Sequence, residues 1–191
     1  SSRGRRKVGT RMTPNWFVAW PVSGPMNWLT ALEESAPGGL HFYAPADLHL
    51  TLAFLGRSNE ALIQKLLSLL KGLPIREIEI SLDRIIALPQ PRRFSALAFT
   101  LSRGRKDVEE QMLRWRDRIC REAGARLETR PPLPHITIAR PDRRIGADDR
   151  AAALDWIEQA PDLSSISLRL ESPRLYTWNA EDADRRFRFV E

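Results

Sequence analysis

The sequence predicts an α+β fold made by duplication: two lobes, each an antiparallel sheet with flanking helices, placed around a central cleft and related by a pseudo-two-fold axis. Two observations predict it. The order strand, helix, strand, helix, strand runs through the chain twice. The third element of each half also carries a His-x-Thr triplet, His49-Leu50-Thr51 and then His135-Ile136-Thr137. Trp16 precedes its motif by 33 residues and Ala96 precedes the second by 39, so the triplets hold similar places in their halves. Identity between the halves is low elsewhere, and the duplication is read from element order and motif position.

In the first half, the run Trp16–Trp20 reads as a buried strand ended by Pro21. Asn27–Ser35 follows as a short helix closed by Pro37-Gly38-Gly39, and Leu40–Ala44 is extended. Leu48–Leu55 is a second strong strand. Ser58 can cap a helix over Asn59–Leu70, whose Leu62, Ile63, Leu66, Leu67 and Leu70 form one apolar stripe. Ile78, Ile80 and Leu82 alternate with polar residues as a half-exposed strand.

The second half repeats this. Ala96–Leu101 is a strand, and Asp107–Ala123 a helix stopped by Gly124. Pro134–Ala139 is a strand, Asp148–Gln159 a helix, and Ile166, Leu168 and Leu170 mark another half-exposed strand. Leu175–Trp178 and Arg186–Val190 can form a last pair.

At 191 residues the chain is long enough for one domain with a real core. We assign residues 13–191 to a single bilobal domain and residues 1–12 to a basic, flexible tail. The formal net charge is +6, and Arg3, Arg5, Arg6, Lys7 and Arg11 supply five of it, which leaves about +1 for residues 12–191. The tail can contact RNA phosphates, although charge runs are more often simply solvated. No apolar stretch is long enough to span a bilayer, and a single cysteine, Cys120, rules out an internal disulfide. A cytoplasmic monomer with no membrane association is expected.

Successive strand side chains alternate between faces, so His49 shares a face with Thr51, and His135 with Thr137. If the lobes face each other, two imidazoles and two hydroxyls converge. That set can open a cyclic phosphodiester: one imidazole deprotonates water and the other protonates the departing sugar oxygen. The threonine hydroxyls can hold the non-bridging oxygens. The roles are symmetric in sequence, and we take His135 as base and His49 as acid. One cysteine and three histidines, none in metal-ligand spacing, predict no metal and no cofactor. Neither a Gly-rich phosphate loop nor a nucleophile elbow is present.

Asp47-Leu-His-Leu-Thr-Leu-Ala-Phe-Leu-Gly56 and Arg130-Pro-Pro-Leu-Pro-His-Ile-Thr-Ile-Ala-Arg140 resemble the two signatures of the 2H phosphoesterases. The nearest branch is similar to the RNA 2′,3′-cyclic phosphodiesterases, also called 2′-5′ RNA ligases. Weaker likeness extends to Trp16–Pro21, Leu88–Phe94 and Arg174–Thr177. The resemblance implies hydrolysis of a 2′,3′-cyclic phosphate on RNA or a nucleotide to a 2′-phosphate, with His49 and His135 as the acid/base pair. It also implies, for some members, reversible 2′-5′ joining of RNA ends.

Arg140 stands where this branch often carries a phosphate-contacting arginine, yet strand alternation puts it on the face opposite His135. Contact therefore requires the strand to end or twist there. Phe94 and Tyr176, with Tyr43 and Trp178, are candidates to stack a base. Arg92 and Arg93 are candidates to guide an RNA backbone, and His41 reads as structural. Two other readings remain open. One is a non-catalytic RNA- or nucleotide-binding module of the same fold. The other is a phosphodiesterase for a different small cyclic phosphate, such as ADP-ribose 1″,2″-cyclic phosphate.

Overall fold

Ten strands and four helices alternate along the computed structural model, which describes residues 15–178 and 186–190. The basic tail assigned to residues 1–12 lies outside the described residues. In chain order the elements are β1 (Asn15–Ser23), α1 (Asn27–Ser35), β2 (Leu40–Phe42), β3 (His49–Arg57), α2 (Glu60–Gly72), β4 (Ile78–Ile80) and β5 (Leu82–Leu88). The second half gives β6 (Ala96–Leu101), α3 (Arg105–Glu122), β7 (His135–Pro141), α4 (Ala147–Glu158), β8 (Leu168–Leu170), β9 (Arg174–Trp178) and β10 (Phe187–Val190).

Seven of the ten strands form one curled antiparallel path, β10-β9-β1-β3-β7-β6-β5; off it, β2 pairs with β7, and β8 pairs with both β1 and β4. Between β9 and β5 the order is palindromic. β3 and β7 pair at the centre through Leu50 opposite Ile136. Outside them β1 flanks β3 and β6 flanks β7, then β9 flanks β1 and β5 flanks β6. The equivalence reaches single residues, because Ala19 stands beside Thr51 as Ala98 stands beside Thr137. The duplicated order in the sequence is therefore written into the strand pairing. The central strands bury their apolar side chains: Leu50, Leu52, Ile136 and Ile138 join one cluster with Val18, Trp20, Leu97 and Phe99.

Four elements differ from the sequence reading. β1 continues through Pro21 to Ser23, because its outer neighbour changes there from β9 to β8 and the missing proline N–H costs no ladder bond. The alternating run from Ile78 to Leu82 breaks at Ser81 into two strands with different partners, β8 for β4 and β6 for β5. Residues 83–88, unassigned by pattern, extend β5. Asn59, not Ser58, caps α2: its Oδ1 accepts the Leu62 N–H at 2.9 Å, while Ser58 Oγ donates to the Ala123 carbonyl.

Candidate active site

The antiparallel register set by Leu50 and Ile136 puts His49 across from Thr137 and Thr51 across from His135. Continued one residue to either side of the Leu50–Ile136 pair, this register sets the four motif residues as a square on one face of the sheet. They converge because their strands are neighbours.

Each histidine is held the same way. His49 Nδ1 donates to the Asp47 carbonyl oxygen at 2.7 Å, and His135 Nδ1 donates to the Leu133 carbonyl oxygen at 2.6 Å. A carbonyl only accepts, so the proton is fixed on Nδ1 and Nε2 is the atom left for proton transfer. The two surroundings differ. His49 is 9 % exposed and is enclosed by Phe17, Phe187 and Tyr176 at ring separations of 4.9, 5.0 and 5.2 Å, with Tyr43 at 6.4 Å. His135 has a more open setting and is half-buried. Burial lowers the His49 pKa to about 4; the Asp47 carbonyl and carboxylate oppose that shift, and Arg140 and His135 add to it. Burial likewise lowers the His135 pKa, with Arg140 acting in the same direction.

The same backbone irregularity follows both motifs. Opposite β6, the step from Ala98 to Leu97 matches a step from Thr137 to Ala139, so Ile138 is an extra residue in β7. Opposite β1, the step from Ala19 to Val18 matches one from Thr51 to Ala53, making Leu52 the extra residue in β3. A bulge shifts the alternation by one. Ile138 and Ala139 are thus both buried, and Arg140 comes back to the face of His135, which resolves the geometric conflict in the strand pattern. Arg140 Nε donates to Tyr43 Oη at 2.6 Å and Nη1 to the Ser95 carbonyl at 3.1 Å. Its charge is close enough to act on both histidines.

Sequence reasoning missed Phe54. It follows His49 by five residues, as Arg140 follows His135, and the β3 bulge brings it to the same face by the same count. Phe54 is 61 % exposed, and Leu133, beside His135, is 46 % exposed. The signal was present in the aligned six-residue segments, His-Leu-Thr-Leu-Ala-Phe against His-Ile-Thr-Ile-Ala-Arg, but reading it required the bulge.

Two expected base-stacking residues are corrected. Phe94 and Tyr176 are each 1 % exposed and offer no free ring face. Phe94 is a core residue with the Arg150 guanidinium over its ring, and Tyr176 is part of the wall around His49. Tyr43 is also buried and serves as the Arg140 partner, whereas Trp178 is exposed at the end of β9. Two surface cavities, of about 410 and 530 Å³, are lined by other residues and include none of the four motif side chains. Among the described residues, no three His, Cys, Asp or Glu side chains are grouped so as to hold a metal ion.

Solved structures with the same fold include Escherichia coli LigT. The form bound to NADP+ is 20 % identical over 94 % of this chain and 95 % of LigT, with a TM-score of 0.66. The form bound to 3′-AMP is 20 % identical over 93 % and 94 %, with a TM-score of 0.63. The protein TT0787 of Thermus thermophilus is 19 % identical over 93 % of this chain and 95 % of its own, with a TM-score of 0.62. At such identity the likeness establishes the fold alone. Among curated proteins no sequence matches. The family model of the 2′-5′ RNA ligase superfamily matches residues 21–180, a span that contains both His-x-Thr motifs, both bulges and Arg140. The chain therefore belongs to the 2′-5′ RNA ligase superfamily, the 2H phosphoesterases.

Proposed function

We propose that this protein hydrolyses the 2′,3′-cyclic phosphate of an RNA end or a nucleotide to a 2′-phosphate by two-histidine acid/base catalysis, without a metal. The observation that carries the reading is the square of His49, Thr137, Thr51 and His135, with both Nδ1 protons held by carbonyls and both Nε2 atoms left for the substrate.

In this mechanism the phosphate lies over the square and the threonine hydroxyls donate to its non-bridging oxygens. Arg140, already oriented by Tyr43 and Ser95, balances the charge that builds on them. His135 Nε2 takes a proton from the attacking water. His49 Nε2 gives one to the departing 3′-oxygen. The same ring opening, with a ribose 5′-hydroxyl attacking phosphorus in place of water and the 3′-oxygen leaving with a proton, gives 2′-5′ joining. Phe54 and Leu133 form an apolar lip beside His135 on which a nucleobase can stack. The nucleotides bound by E. coli LigT, 3′-AMP, NADP+ and ATP, support a nucleotide as the ligand class.

The test is turnover of 2′,3′-cyclic mononucleotides and of RNA carrying a 2′,3′-cyclic phosphate, in excess EDTA, for the parent protein, His49→Ala and His135→Ala. The expected result is a 2′-phosphate product, with each variant folded and slowed by ~10²–10⁴-fold. An absolute requirement for a divalent metal, or full activity in both variants, overturns the reading. A p-nitrophenyl phosphodiester, whose leaving group needs no proton, assigns the roles: His49→Ala keeps its activity on that ester and His135→Ala does not.

A further inference from the structure

Tyr43 accepts the hydrogen bond that holds Arg140, yet a phenol hydroxyl can also donate. Its place in the fold directs that second capacity. β2 pairs with β7 through His41 opposite Arg140 and Phe42 opposite Ala139, and the next residue, Tyr43, donates its N–H to the Ile138 carbonyl at 2.8 Å. Ile138 is the extra residue of the β7 bulge. The irregularity that returns Arg140 to the face of His135 therefore fixes the backbone of Tyr43 as well.

The ring is held in turn. Tyr43 is 3 % exposed, with Phe187 edge-on at 5.7 Å, the His49 imidazole stacked at 6.4 Å and the Arg186 guanidinium over its face at 4.8 Å. In this setting Oη takes the Arg140 Nε–H at 2.6 Å and keeps one proton to give. Among the described residues, no oxygen or nitrogen receives that proton. A buried donor without an acceptor costs free energy unless a ligand supplies one.

The guanidinium fork says where the acceptor stands. Nε and Nη2 present parallel N–H bonds along one edge, on which a phosphate or carboxylate sets two oxygens side by side. In Arg140 the phenol oxygen fills the Nε half and the Ser95 carbonyl engages Nη1, while Nη2 has no partner among the described residues. A phosphate oxygen on Nη2 would lie beside Tyr43 Oη, within reach of its proton.

Resting on the proposed cyclic-phosphate reading for the identity of the substrate, we infer that Tyr43 is a further phosphate-binding residue, whose hydroxyl donates to the non-bridging oxygen held by Arg140 Nη2. Arg140 and Tyr43 then grip the phosphate as one hydrogen-bonded pair. Accepting the charged N–H polarises the phenol and strengthens the bond it gives.

The experiment measures inorganic phosphate binding by calorimetry, and turnover of a 2′,3′-cyclic mononucleotide, for the parent, Tyr43→Phe, Arg140→Gln and the double variant. Phenylalanine keeps the ring and its packing, and thermal denaturation checks that each variant is folded. Tyr43→Phe is expected to weaken phosphate binding about tenfold, the worth of one hydrogen bond to a charged group, and to lower kcat/KM by a similar factor. A further loss of phosphate affinity when Tyr43→Phe is added to Arg140→Gln marks direct donation. No further loss means that the phenol acts only by orienting Arg140, which overturns the inference. Unchanged phosphate affinity in Tyr43→Phe overturns it too, as does a parent that binds no phosphate. If turnover is normal and Tyr43→Phe matches the parent in both assays, the Tyr43 inference fails alone. If the parent binds phosphate through Tyr43 and does not turn over the cyclic nucleotide, the catalytic reading fails and the phosphate contact stands.

Discussion

His49 and His135 hold the same hydrogen bond in different surroundings, and the difference is measurable. Catalysis needs one imidazole neutral and the other protonated, so the rate peaks between the two pKa values. Both are lowered from the ordinary 6.5 by burial, which places the optimum below neutrality, with activity falling on the alkaline side once both imidazoles are neutral. A pH–rate profile on the cyclic mononucleotide checks this, and an optimum above pH 7 contradicts it. The same burial has a cost in stability. The folded His49 pKa lies below its unfolded value, so between about pH 6.5 and 4 the unfolded chain binds more protons, and stability falls as pH falls through that window. The loss is on the order of 3 kcal/mol. In urea titrations from pH 7 to pH 4, His49→Gln should lose less stability than the parent. Arg140→Lys should lower kcat/KM for the cyclic phosphate roughly tenfold, with kcat falling, since an ammonium cannot reproduce the fork held by Tyr43 and Ser95 or its balance of the developing charge.

At the scale of elements, β10 closes the wall behind His49, and Asp47 fastens it. The Asp47 carboxylate is 1 % exposed and accepts the Arg186 N–H at 2.8 Å and the Phe187 N–H at 3.4 Å, while its carbonyl holds His49. Asp47→Ala leaves buried donors without their acceptor and should cost about 1–3 kcal/mol. Thermal denaturation measures that loss, and Asp47→Asn, which keeps an acceptor oxygen, should recover part of it. None of this was legible in the sequence, because Asp47 and Phe187 are 140 residues apart. The motif strands and the amphipathic helices were legible, since hydrophobic period and turn residues are local. The positions of Phe54 and Arg140 were not, because a bulge is a misfit between two strands and neither strand alone announces it. The burial of Phe94 and Tyr176 was hidden for a related reason: aromatic character does not say which side of a sheet is covered.

Across the whole molecule, the described helices include none long and apolar enough to cross a membrane. The palindromic strand order means that neither half holds a complete site, because each supplies one imidazole and one hydroxyl. Mixed as separate chains, residues 1–89 and 90–191 should show turnover only together, with a rate that depends on the concentration of both. Activity in one fragment alone would contradict the assembly of the square across β3 and β7.

The bulges after the two motifs have a consequence for orientation. A perfectly two-fold site would accept a lopsided ester in either of two reversed poses, and only one of them would put the sugar oxygen at the acid. By carrying the same kink in both strands but ending it on a phenyl ring in one and a guanidinium in the other, the chain keeps a symmetric frame and gives it a head and a tail. Two equivalent half-sites thereby become one site that reads direction.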